Sequence, residues 1–156
     1  MKHKDTLGFV IKTLDNLFFR NMFAYETRQK GVDEITVMHG WILGFLYENR
    51  EKNIFQKDIE IEFSIARSTV TSIVKLMEKK GYILRESVEA DARLKRLVLT
   101  ERGKQIHEQH ISYIDILEEQ CKRNISQEEI EIFLKIAGKL KQNLEEDIQK
   151  REGQKW

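Results

Sequence analysis

The chain has no proline, one cysteine and 8 glycines in its 156 residues. Without proline, no position has a locked φ or a missing backbone donor. Long uninterrupted helices are therefore favoured over a loop-rich fold. The single cysteine, Cys121, excludes an intrachain disulfide and makes the cytoplasm the expected compartment. Long apolar runs are also missing. The longest, Trp41 to Tyr47, is interrupted by Gly44 and falls far below the roughly 20 residues that span a bilayer, so no membrane partner is expected. The opening MKHKDTLGFV carries Asp5 and no apolar core, so it does not read as a signal peptide. Net charge is nearly absent too, at +1. What is present is enough apolar material for a core, 40% of residues, which excludes global disorder.

The neutral average hides a pattern. Residues 67–104 carry 10 Lys and Arg against 5 Asp and Glu, whereas residues 105–149 carry 5 against 10. A basic centre followed by an acidic segment points to a polyanion partner.

Apolar spacing gives the elements. Leu7, Val10, Ile11, Leu14, Phe18, Met22 and Tyr25 recur at steps of three and four, predicting a helix over about 5–30 that breaks at Gly31-Val32-Asp33. Thr36 is a candidate cap for a second helix over about 37–51, with Trp41, Ile42, Phe45 and Leu46 facing inward. Asn53 marks a turn, and a short helix is expected over 56–62. After Ser64-Ile65 another helix runs from Arg67 to about Lys80 with a stripe of Val70, Ile73, Val74 and Met77, and Gly81 stops it. Two strands, 82–86 and 96–99, follow, joined by a polar connection over 87–95. Thr100 caps a helix to about 123 with Ile106, His110, Tyr113 and Leu117 on its stripe. Ser126-x-x-Glu129 is a capping box for the last helix, whose seam is Ile130, Phe133, Ala137, Leu140 and Leu144.

Helix, tight turn, helix, strand, basic connection, strand is the order of a winged helix-turn-helix, whose second helix enters the major groove of DNA. Its outer face here is Arg67, Ser68, Thr69, Thr71, Ser72 and Lys75, hydroxyls and cations without an acid until Glu78. Such side chains can meet base edges or phosphates. Lys95 and Arg96 on the wing are phosphate candidates. The residue before Arg67 is Ala66, so the helix cap comes from Ser64 or is absent.

The stretch FQKDIEIEFSIARSTVTSIVKLMEKKGYILRESVEADARLKRLVLTERG resembles the winged-helix core of the MarR family of transcriptional regulators. The resemblance is carried by Asp91-x-Arg93, by Leu99-Thr100-x-x-Gly103, by Ser68-Thr69-Val70-Thr71 and by Met77-Glu78-Lys79-Lys80-Gly81, in that family's order and spacing. It implies one mainly α domain over 1–156 with a small β wing. A DNA-binding lobe over about 35–104 would be flanked by dimerisation helices over about 5–30 and 105–149. It also implies a ligand-responsive homodimeric repressor on a palindromic operator. Arg93 would enter the minor groove, with Asp91 orienting it or a neighbouring base. A small aromatic or phenolic ligand would sit near Phe18, Tyr25, His39 and Trp41.

The competing reading is a winged-helix module that binds protein or metal without specific DNA recognition. His107 and His110 lie one turn apart, but on different sides of their helix. The expectation is no metal site and no cofactor, with His110 buried and the other two at the surface. Cys121 is in phase with Leu117 and is expected to be a packed thiol rather than a redox sensor. No nucleophile–base pair, phosphate-binding loop or carboxylate pair with a supporting motif is present, so no enzymatic activity is expected.

Overall fold

Steric punctuation decides where the helices stop. The computed structural model describes residues 3–26, 37–88 and 91–153, the side chains of 22–26, 91, 92, 152 and 153 excepted. The elements are α1 (Leu7–Glu26), α2 (Val37–Glu48), α3 (Gln56–Glu62), α4 (Arg67–Lys79), β1 (Ile83–Val88), β2 (Asp91–Leu99), α5 (Glu101–Cys121) and α6 (Gln127–Gly153). The expected break at Gly31-Val32-Asp33 and the cap at Thr36 lie outside the described residues. The architecture is mainly α with a two-stranded antiparallel wing.

The chain forms two units, residues 1–117 and 118–156. In the first, one apolar cluster joins Ile42, Leu43 and Leu46 of α2 to Ile59, Val70, Val74 and Met77 of α3 and α4. Tyr82, Ile83 and Leu97 attach the wing to it, and Ile106 attaches α5. Both helices of the α3–α4 pair end on the same device. Ile65 N–H donates to Glu60 O and Ser64 N–H to Ile61 O, with Ser64 at φ 51°. Tyr82 N–H donates to Met77 O and Gly81 N–H to Glu78 O, with Gly81 at φ 74°. Each is a Schellman turn with one left-handed residue, which reverses the chain sharply while satisfying the last carbonyls.

The wing is longer than the sequence predicts. β2 starts at Asp91, so the expected polar connection is largely strand, paired through Ser87↔Lys95 and shifted in register between Ser87 and Val88. Charged residues are tolerated because a two-stranded wing exposes side chains on its outer face.

The Leu99-Thr100-x-x-Gly103 motif is a joint between wing and α5. Thr100 Oγ1 lies 2.7 Å from Gly81 O and 3.0 Å from Tyr82 O, and accepts from Gly103 N–H at 3.0 Å. A Cβ at Gly103 would stand 2.1 Å from Tyr82 O. A second close approach joins α2 to α5. A Cβ at Gly40 would meet His110 Cδ2 at 2.1 Å, and one at Gly44 would meet His107 Cε1 at 3.3 Å. The Tyr47 and His107 rings stack nearby with centroids 4.8 Å apart.

Three expectations of burial are corrected. His39, expected at the surface, is buried at 6% exposure, because α2 is covered on nearly all sides. Trp41, expected inward, is 38% exposed. Cys121 is exposed, because the buried stripe of α5 ends at Leu117.

In the second unit the Ser126–Glu129 capping box forms as expected. Glu129 Oε2 accepts from Ser126 N–H at 2.8 Å, and Glu129 N–H donates to Ser126 Oγ at 3.2 Å. The backbone bond from Ser126, aided by its hydroxyl, holds the Glu129 carboxyl below its usual value. Many apolar residues of α6 stay outward, with Phe133 60%, Leu134 61% and Leu144 62% exposed, while Ile130, Ala137 and Leu140 are half-buried.

Candidate nucleic-acid interface

The buried stripe of α4, namely Val70, Val74 and Met77, turns Arg67, Ser68, Thr69, Ser72 and Lys75 to solvent. Ala66 precedes the helix with no side-chain cap, so the first-turn N–H groups face outward without a side-chain acceptor. Two hydroxyls fold back on their own helix. Thr71 Oγ1 donates to Arg67 O at 2.8 Å, and Ser72 Oγ donates to Ser68 O at 3.1 Å. Their protons are thereby engaged, and lone pairs remain on the exposed side at Ser72, whereas half-buried Thr71 also accepts from Gln56.

Between α4 and the wing lies a concavity of about 670 Å3. Arg67 and Thr71 form one wall, and Arg93, Leu94 and Lys95 of β2 form the other. Phe55, Gln56, Lys57 and Glu60 close it from the α3 side, and Arg85 of β1 reaches it from below. Five cations and one acid line it, and one of the five, Arg85, is paired with Glu78. An open trough with this charge concentrates negative ligands, and its flanks are a helix and a β-ribbon of the size that DNA grooves accept.

A family model described as "MarR family" matches residues 34–94. The HTH-type transcriptional regulator YwhA of Bacillus subtilis (strain 168) is 30% identical over 133 residues, covering 81% of this chain and 94% of that protein. The chain belongs to the MarR family. It is therefore a MarR-family transcriptional regulator, matching the resemblance carried by its wing and recognition-helix motifs.

Solved structures agree on the fold. The MepR–DNA complex of S. aureus superposes with a TM-score of 0.79 at 23% identity, over 92% of this chain and 99% of that one. The MarR regulator of Oenococcus oeni PSU-1 gives 0.70 at 27% identity, over 88% and 99%. The heme sensor PefR of Streptococcus agalactiae, solved with heme, gives 0.62 at 27%, over 92% and 95%.

For this MarR-family chain, the structure brings most sequence-derived site residues together and separates others. Arg67, Thr71, Arg93 and Lys95 share the trough. Ser68, Thr69, Ser72 and Lys75 occupy the exposed face of α4. Lys95 Nζ also donates to Ser87 Oγ across the wing. Arg96 is elsewhere. It ion-pairs with Glu86 at 2.8 Å, donates to Asn53 Oδ1 at 3.1 Å, and lines a separate hollow with Leu46, Ile54 and Leu97. The Asp91 side chain lies outside the described residues, as does that of Tyr25.

Sequence reasoning missed Gln56, Lys57 and Arg85. Gln56 Nε2 donates to Thr71 Oγ1 at 3.3 Å, fixing its amide beside the recognition helix. The short link Ser64–Ala66 brings only the end of α3 to the start of α4, so no local signal marks Gln56, which reaches Thr71 from the other end of α3.

Of the expected small-molecule residues, Phe18 and Trp41 meet with ring centroids 6.3 Å apart. Phe18, like Ile114, also packs against the pair Val37 and Leu117. Burial, and then the nearby Lys80 charge, lower the His39 pKa from its usual value. Among the described residues, no group of three or more His, Cys, Asp or Glu side chains is placed to hold a metal ion. No described helix is long and apolar enough to cross a membrane.

Proposed function

We propose that the chain is a homodimeric repressor that binds a palindromic operator and releases it when a small aromatic ligand binds. The cationic trough between α4 and the wing is the observation that carries the DNA-binding part of this reading. Helix α4 would read the major groove through Arg67, Ser68, Thr69, Thr71, Ser72 and Lys75. Arg93 would enter the adjacent minor groove, where narrow width deepens the negative potential. Dimerisation is supported by outward apolar side chains on α1 and α6, such as Leu7 at 61%, Leu14 at 51% and Phe133 at 60% exposure. A two-fold dimer would present two such helices to half-sites about 10–10.5 base pairs apart, or a multiple of that. The Phe18–Trp41 ring contact supports an aromatic ligand on that side. The ligand would act by binding the two conformations of the dimer unequally.

Selection of bound duplexes from a random pool, followed by a salt series on the winner, tests this. A palindromic winner is expected, with a log–log salt slope near −0.9 for each phosphate neutralised. A flat salt response rejects the reading. Arg93→Ala should weaken operator binding by about 1–3 kcal/mol while the protein stays folded. Unchanged affinity by fluorescence anisotropy would remove Arg93 from the contact.

A further inference from the structure

Glu78 stands in the last turn of α4, where the partial negative charge of a helix end disfavours an acid. It has a specific partner there. Its Oε2 lies 3.2 Å from Nε of Arg85 on β1. The Arg85 side chain is only 23% exposed, and its Nε and Nη2 are closed to solvent. These two nitrogens cannot reach a DNA phosphate, and a guanidinium so enclosed needs a nearby counter-charge. Glu78 supplies it.

The pair spans the Gly81 turn and so holds the direction in which β1 leaves α4. Strand β1 in turn carries β2 through Arg85↔Leu97, Glu86↔Arg96 and Ser87↔Lys95. Arg93 and Lys95 are thereby placed relative to Arg67 and Thr71. Arg96 ties the two strands together through Glu86 and holds the wing to the α2–α3 turn through Asn53.

We propose that Glu78 and Arg85 are positioning residues that fix the angle between recognition helix and wing. Specificity for a DNA site then depends on an acid placed about 15 Å along the helix from Ser68, the rise of a helix over that span. The inference rests on the DNA-binding reading above.

Two physical pictures predict different outcomes for Glu78→Gln. If Glu78 is only a surface charge, removing it lowers phosphate repulsion and tightens binding to every duplex. If it positions the wing, the selected duplex loses affinity relative to a scrambled one of equal length. The experiment measures both affinities by anisotropy across a salt series, for the wild type, Glu78→Gln and the charge-swapped double variant Glu78→Arg with Arg85→Glu. Thermal melts confirm that each is folded. Glu78→Gln should reduce the selected-to-scrambled ratio about tenfold, the size of one lost base contact, with an unchanged salt slope. The swap should regain most of the ratio. An unchanged or larger ratio in Glu78→Gln, or no recovery in the swap, overturns the proposal. A wild type that prefers no duplex overturns the DNA-binding reading itself, and this inference with it.

Discussion

Gly103→Ala is expected to destabilise the protein by about 3 kcal/mol or more, the upper range for inserting a methyl where neighbours cannot give way. The added Cβ would stand 2.1 Å from Tyr82 O and 2.8 Å from Leu99 Cδ1. Backbone is the harder obstacle. Tyr82 O accepts Thr100 N–H at 3.0 Å and lies 3.0 Å from Thr100 Oγ1, so moving it breaks the joint that starts α5. Tyr82 itself is fully buried in the core, so the strain spreads inward. A fall in Tm of roughly 10 °C is expected for a chain of this size. Gly8, with open space around an added Cβ, is the control, and alanine there should change Tm little. Equal melting of the two variants would show that the Tyr82 carbonyl yields freely.

Acid should unfold the protein through His110. Its ring is 2% exposed and seated against Gly40. Burial first, then the charges of His107 and His39, pull its pKa from 6.5 down to about 4. The unfolded chain therefore takes up the proton before the folded one. The resulting stability is fully present above pH 6.5 and is lost as pH falls from there towards 4. The difference amounts to roughly 3 kcal/mol, at 1.36 kcal/mol for each unit. His39 shifts in the same direction and adds to the slope. Urea midpoints between pH 7.5 and 4.5 measure it. His110→Gln should flatten the dependence whatever it does to stability at neutral pH. An equally steep dependence in that variant would place the effect elsewhere.

Which parts of the molecule were legible beforehand follows from the range of the forces involved. The α3 and α4 spans, the stop at Gly81 and the Ser126–Glu129 box depend on periodicity and local backbone chemistry, and all were visible in the sequence. The length of β2 was not, because charged residues such as Arg93 and Lys95 carry no strand signal without their partners across the ladder. Burial of His39 was hidden for a similar reason. Covering α2 on nearly every side is a tertiary event, and the polarity of one residue does not report it. Within the candidate site, the exposed face of α4 follows from its apolar stripe. The engagement of Arg96 with Asn53 joins residues 43 apart in sequence, beyond any local pattern, and its pairing with Glu86 depends on the strand register. Gln56, Lys57 and Arg85 became visible only when the trough brought α3, α4 and both wing strands together.

The contact of α2 with α5 also limits how the lobe can move. The rings of His107 and His110 sit against Gly40 and Gly44, so α5 cannot slide along α2 without lifting an imidazole out of its notch. No glycine stands one turn before Gly40 or one turn after Gly44, so the two rings have no second register in which both fit. Tilting about the notches needs no slide, and packed helices readily shift by small rotations. Any movement of α5 against α2 would therefore change their angle at fixed register, like a lever on a toothed pivot.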